Sequence, residues 1–168
     1  MEFLRVDPAN DDEFDAWFAV LQRSELDREK GHGNGWFPSE WRARALNESV
    51  PVYHQLFSFG DDILDPVAVA ALEVTRDDNL HWIRGELFVD PPERRKGFGS
   101  TALARLEDRA RALHRPAMLF WVQESRHDQG KGPSRSFAPL HGYNIVEESV
   151  RRDLAWPRPL GELERLFD

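Results

Sequence analysis

At 168 residues, 40% of them apolar, the chain has the size and composition of one ordinary folded domain with a single core. Its 30 acidic against 22 basic side chains give a formal charge of -8, which argues against nucleic acid as the main partner, since phosphate binding needs a basic footprint, and suits a cationic small molecule better. With no cysteine, disulfides, thiolate nucleophiles and cysteine metal sites are excluded; no apolar run reaches the roughly 18 residues that a membrane span needs, so a soluble, cytoplasmic protein with no membrane partner is expected.

Phe3 to Val6 reads as a short strand, and Asn10 with Glu13 three residues later reads as a capping box opening a helix, along which Phe14, Trp17, Phe18 and Leu21 recur at helical spacing. Three glycines make Lys30 to Phe37 a loop, after which Ser39 is expected to cap a second helix carrying Trp41, Ala45 and Leu46. From Pro51 the period changes. Val52 to Phe59, Pro66 to Val74 and Leu80 to Val89 are rich in β-branched and aromatic residues and read as a three-strand meander, with Asp61-Asp62 and Asp77-Asp78-Asn79 at the reversals.

After Pro91-Pro92 a glycine-rich turn leads into a helix with Leu103, Leu106, Ala110 and Leu113 on one face. Pro116 ends it, Met118 to Val122 reads as a buried strand, and a polar loop to Gly132, a brief helix from Ser134 to Leu140 and a strand from Tyr143 complete the order β-α-α-β-β-β-α-β-α-β. One domain is expected over residues 1-156. The remaining segment, 157-168, carries Leu160, Leu163, Leu166 and Phe167 as an apolar stripe, read as a short helix on its own domain, as a docking element for another chain, as in a homodimer, or as a lead into a second domain.

The functional signal lies in Leu87-Phe88-Val89-Asp90-Pro91-Pro92-Glu93-Arg94-Arg95-Lys96-Gly97-Phe98-Gly99-Ser100. A strand delivers the chain, two prolines end the ladder, and Gly97 and Gly99 let the backbone turn with amides facing inward. The following helix adds unpaired first-turn amides and the positive end of its dipole, and Arg94, Arg95 and Lys96 add full charges, which together suit a pyrophosphate.

The run Arg94-x-x-Gly97-x-Gly99 resembles the Arg/Gln-x-x-Gly-x-Gly/Ala cofactor motif of the GNAT superfamily of acyl-coenzyme A-dependent N-acyltransferases, and the element order over nearly the whole chain is similar to that family's. The resemblance implies an α/β GNAT fold, a mixed, mostly antiparallel twisted sheet of six to seven strands flanked by helices. The sheet would splay open between the strand ending at Val89 and that of Met118 to Val122. Acetyl-coenzyme A would be the cosubstrate, its diphosphate held by Arg94, Arg95, Lys96, Gly97, Phe98, Gly99 and Ser100, and its pantetheine arm paired with the strand Leu87-Phe88-Val89 through exposed backbone groups of Phe88 and Val89. The Val89 amide would stabilise the oxyanion of the tetrahedral intermediate. An overlapping Gly97-x-Gly99-x-x-Ala102 pattern fits a dinucleotide fingerprint, but two prolines and a charged loop intervene after the strand and no acidic residue ends the next one.

An alkylammonium acceptor, with a pKa near about 10, must lose a proton before attack. Alternation along Leu80 to Val89 sets Trp82, Arg84, Glu86 and Phe88 on one face, which makes Glu86 the first candidate base; its plain alternative is an ion pair with Arg84 or a solvent-facing position. Glu73 and His81 are weaker candidates, and the six scattered histidines have no metal-ligand spacing, so no metal is expected. Many GNAT members carry a tyrosine four residues before the glycine of the last helix-to-strand junction; here that position is Ala138, beside Phe137 and ahead of Gly142. Either another donor serves, water or His141 among them, or the thiolate leaves unassisted, or the domain is a weakly active coenzyme A-binding module, half of a paired arrangement. The family's acceptor cleft corresponds to Arg28 to Trp41, where Trp36, Phe37 and Trp41 could face a cation or merely close the core.

Overall fold

The computed structural model describes residues 1-28, 37-47, 51-122 and 132-149. Five strands, β1 (Glu2–Arg5), β2 (Val52–Gly60), β3 (Ala68–Thr75), β4 (Trp82–Val89) and β5 (Ala117–Phe120), form one sheet in chain order. The first four pair antiparallel and β5 joins β4 in parallel, which requires the crossover that α3 (Phe98–Ala112) supplies. Helices α1 (Asp11–Arg28) and α2 (Pro38–Leu46) cover one face, α3 covers the other, and α4 (Pro133–Leu140) follows β5.

The mixed, mostly antiparallel α/β architecture is the expected one, but with five strands among the described residues where six to seven were expected. The strand foreseen from Tyr143 does not form within the described residues 143-149. That segment is tethered by a side chain: the Tyr143 hydroxyl donates to Glu107 of α3 at 3.0 Å and its ring meets Phe120 edge-on at 5.5 Å. Burial first, and the bond to Glu107 next, push the Tyr143 pKa well up, so the phenol stays neutral.

Two periodicities build the core. Phe14, Trp17, Phe18 and Leu21 of α1 pack with Trp41, Leu56, Val69 and Ala71, and the indole of Trp17 donates to the Ala70 carbonyl at 3.2 Å. On the opposite face Ala102, Leu106 and Ala110 of α3 meet Phe57, Phe59, Ala70, Leu72 and Ile83. The α1 start is capped by Asn10, whose side-chain oxygen accepts from Asp12 and Glu13. The Glu13 carboxylate returns to the Asn10 side chain and the Asp7 amide instead of the Asn10 amide that a strict capping box would use. At α2 the expected cap Ser39 lies inside the first turn; Phe37 is the cap residue, Pro38 opens the helix, and Glu40 accepts from the Phe37 amide at 3.1 Å. The glycine loop of residues 30-36 and the tail 157-168 lie outside the described residues. No described helix is long and apolar enough to cross a membrane.

Candidate active site

The site begins where the sheet opens. Ala68 stands opposite Val89 and Val69 opposite Phe88 in the β3–β4 register, and the Asp90 amide donates to the Val67 carbonyl at 3.0 Å. Bonding directions alternate along an antiparallel ladder, so Phe88 exchanges its main-chain bonds with Val69 while Leu87 and Val89 point theirs to the other edge. On that edge β5 runs alongside only as far as the pair Gly85 and Phe120. Beyond it, no described strand lies against Leu87 and Val89. The expectation that Phe88 offers its backbone to the gap is thus corrected: its groups are committed to β3, and the open edge belongs to Leu87 and Val89.

Gly85 and Phe120, neither foreseen as site residues, mark the fork. The Phe120 ring lies over Gly85 so closely that a Cβ there would come within 2.7 Å of it. A glycine inside an otherwise bulky strand is the sequence signal for such a close approach.

After Val89 a single 3-10 turn, Pro91–Glu93, leads into the basic run. Arg95, at φ 65°, and Gly97, at φ 87°, both adopt left-handed backbone, and α3 starts at Phe98. The main-chain amides of Arg95, Lys96, Gly97, Phe98, Gly99 and Ser100 have no acceptor among the described residues, whereas Arg94 donates to Pro91 and Thr101 closes the first helical bond to Gly97. Six successive free donors at a helix N-terminus are an arrangement that can hold an anion.

The side chains of this run divide. Arg94 turns inward, its Nε donating to the Val89 carbonyl at 3.2 Å and its Nη1 to Asp27 of α1. Lys96 is paired with Glu93 at 3.0 Å. Arg95 is exposed and has no carboxylate partner among the described residues. Gly99 faces Val89 and Phe137: a Cβ at Gly99 would lie 3.4 Å from each side chain. Ser100 shares a 3.0 Å hydrogen bond with His141 Nε2, and the His141 ring lies 4.5 Å from that of Phe137, so α4 borders the start of α3.

On the face covered by α1 and α2, Glu86 sits half-buried beside Phe88 and Arg84. The alternative in which Arg84 neutralises Glu86 does not hold, because Arg84 pairs with Glu73 at 3.0 Å. Arg84 also lies over Trp82 and Trp121, 5.3 and 5.5 Å from their ring centroids. Glu86 has no hydrogen-bond or ion-pair partner among the described residues. Burial, followed by the charge of Glu25 on α1, raises its pKa to about 7, against the opposing pull of Arg44 and Arg28. Behind Glu73 lies His54 at 3.8 Å, whose pKa burial lowers despite that carboxylate.

His81 is exposed just ahead of β4, at the end opposite Val89, and Trp41 is buried against Trp17 and His54. Of the two described aromatics expected on the acceptor side, Phe37 is exposed, at 65%, and Trp41 is not; Trp36 lies outside the described residues. No cluster of three metal-ligating side chains occurs among the described residues.

The family model described as the acetyltransferase (GNAT) family matches residues 14–129. The chain belongs to the GNAT acetyltransferase family. Among curated proteins none matches significantly. Solved structures share the fold at low identity. A tetramutant of the BH1408 protein from Bacillus halodurans is 15% identical, with TM-score 0.64, covering 92% of this chain and 100% of that one. A tandem GNAT protein from the clavulanic acid biosynthesis pathway is 18% identical, with TM-score 0.66 over 84% of this chain and 43% of that one. The aminoglycoside N-acetyltransferase AAC(6')-Iy, in complex with CoA, is 11% identical, with TM-score 0.61 over 91% of this chain and 93% of that one.

Proposed function

We propose that this protein is an N-acetyltransferase that moves the acetyl group of acetyl-coenzyme A to the amine of a small cationic acceptor in a ternary complex. The observation that carries the reading is the continuity of the free amides of Arg95 to Ser100 with the open edge of Leu87 and Val89, while Glu86 lies on the same strand toward the other face. A diphosphate fits the six donors, and an amide-bearing pantetheine arm fits a strand edge on which the Leu87 amide and carbonyl and the Val89 amide are unused, the Val89 carbonyl being held by Ser24 and Arg94.

Acetyl-coenzyme A would supply the activated acetyl group. Glu86 would take the proton of the bound ammonium, directly or through water: a carboxylate with a pKa of about 7 is a far better base at neutral pH than an ordinary glutamate. The Val89 amide, aimed at the gap, would donate to the carbonyl oxygen as charge develops there. No metal is needed, and the protein would work as a soluble cytoplasmic enzyme. The excess of acidic side chains favours a cationic acceptor.

A thiol-release assay with acetyl-coenzyme A against polyamines, aminoglycosides and amino acids tests the reading. Release with at least one amine, abolished in Glu86→Gln, is expected; no release above buffer with any of them would overturn it.

A second reading, a coenzyme A-binding module with weak turnover and a paired partner, is favoured by one observation. Ala138 supplies no acid, and the Tyr143 hydroxyl is tied to Glu107 on α3. Under this reading calorimetry would record coenzyme A binding without turnover, and deleting Leu160 to Asp168 would abolish dimerisation.

A further inference from the structure

Three of the four charged or polar groups that hold the end of β4 come from the last turns of α1. Arg23 grips Asp90 through two hydrogen bonds, at 3.0 and 2.6 Å, and Ser24 donates to the Val89 carbonyl at 2.9 Å. Asp27 binds the Nη1 of Arg94, whose Nε is the second donor to that same carbonyl. The Val89 carbonyl therefore takes two donors, one neutral from α1 and one charged from the turn that follows β4. Both lie on the edge of β4 that carries the Val89 amide.

We infer that Arg94, although it opens the glycine motif, is a positioning residue: with Ser24 it fixes the Val89 corner, and the diphosphate is left to the free amides and Arg95. The inference rests on the acetyl-coenzyme A reading above. Two arguments support it. A guanidinium whose Nε donates to a carbonyl and whose Nη1 donates to a carboxylate is held in place by the protein itself, and its charge is already balanced by Asp27. Lys96 is likewise balanced by Glu93, so Arg95 is the cation of the run that no carboxylate neutralises among the described residues.

Arg94 touches none of the reacting atoms in this role. It acts through the peptide at Val89, whose direction decides whether the Val89 amide meets the developing charge; misplacing such a donor by about 1 Å can cost on the order of a hundredfold in rate. A phosphate ligand would behave differently, since its loss weakens cofactor binding first.

The test compares Arg94→Gln, Arg95→Gln, Ser24→Ala and Asp27→Asn in the full chain, with coenzyme A affinity by calorimetry and initial rates on whichever amine the wild type accepts. Arg94→Gln and Ser24→Ala should each lower kcat about tenfold while shifting the coenzyme A Kd less than about threefold, and Arg95→Gln should weaken that Kd about tenfold. Asp27→Asn separates the roles further. If Arg94 were a phosphate ligand held back by Asp27, its release would tighten coenzyme A binding; as a positioning residue it should leave the Kd unchanged and lower kcat. Loss of affinity in Arg94→Gln as large as in Arg95→Gln, or tighter binding by Asp27→Asn, would overturn the inference. Wild-type protein that binds no coenzyme A would instead sink the reading beneath it. Should Arg94→Gln fail to fold, Ser24→Ala and Asp27→Asn still decide, because each alters one contact of the same carbonyl or guanidinium.

Discussion

Arg23 on α1 and Asp90 at the end of β4 meet as a fork against a carboxylate, Nε to Oδ1 at 3.0 Å and Nη2 to Oδ2 at 2.6 Å. Asp90 is buried and Arg23 about half exposed. Asp90 also donates its amide to Val67, so one residue ties the meander to α1 just before the basic, glycine-containing turn. Arg23→Ala leaves a buried carboxylate without its partner and should cost about 2 kcal/mol, the half-exposed position of Arg23 keeping the loss below that of a fully buried pair. Urea denaturation at neutral pH measures it; a loss within about 0.5 kcal/mol of zero would mean that the fork contributes no more than an ordinary surface pair.

Glu86 offers a test in which stability and activity move in opposite directions. Its folded-state pKa of about 7 exceeds the ordinary 4.5, so the native state holds a proton that the unfolded chain releases. The stability contributed by this group is complete below 4.5 and is lost as the pH rises through about 7. Glu86→Gln should therefore match the wild type near pH 4 and exceed it by about 2 to 3 kcal/mol at pH 8. Thermal melts of both proteins across that range check the sign, and an equal pH dependence in the two would refute the raised pKa.

The same titration predicts the wild-type rate profile. A base must be ionised to act, so kcat/KM should climb tenfold per pH unit below about 7 and level off above it, until the acceptor or another group intervenes. A limb set near 4.5 would assign the base elsewhere. Glu25 supplies the second-largest upward push, so Glu25→Gln should move the limb toward lower pH while leaving a limb in place.

Gly97 and Gly99 should fail for different reasons when substituted. Gly97 has φ 87° with open space where a Cβ would go, so Gly97→Ala costs about 1 kcal/mol of backbone strain and little else. Gly99 carries no such backbone demand, but a valine there must crowd Phe137 and Val89 at the mouth of the gap. Gly99→Val should weaken coenzyme A binding at least about tenfold with a smaller effect on Tm than on affinity. Calorimetry beside a thermal melt distinguishes the two, and unchanged affinity would remove Gly99 from the site.

Gly85 is the third sensitive glycine. Gly85→Ala pushes a methyl group to within 2.7 Å of the Phe120 ring at the last pair of the parallel ladder, so the ring must swing or β5 must move. Overpacking of this kind costs about 1 to 3 kcal/mol. Phe120→Leu should recover part of the loss in the double variant, measured by a thermodynamic cycle; strictly additive effects would mean that the two residues do not touch.

Much of this was legible in the residues because it depends on near neighbours. The apolar period of Phe14 to Leu21 and of Leu103 to Ala110, the β-branched runs of the meander, and the prolines and glycines around Arg94 each constrain backbone within a few positions. They led to α1, α3, the antiparallel strands, the glycine turn before α3 and the face on which Glu86 stands. The tertiary structure alone decided which groups meet across long separations. Asp27 reaches Arg94 over 67 positions, Arg84 takes Glu73 and leaves Glu86 alone, and register turns Phe88 inward while Leu87 and Val89 open to the gap. It also decided that residues 143-149 are tethered through Tyr143 without entering the sheet. The reason is physical: periodicity reports which face of an element is apolar, whereas ion pairing and desolvation depend on what other elements bring to that face, and no local pattern encodes the distance between them.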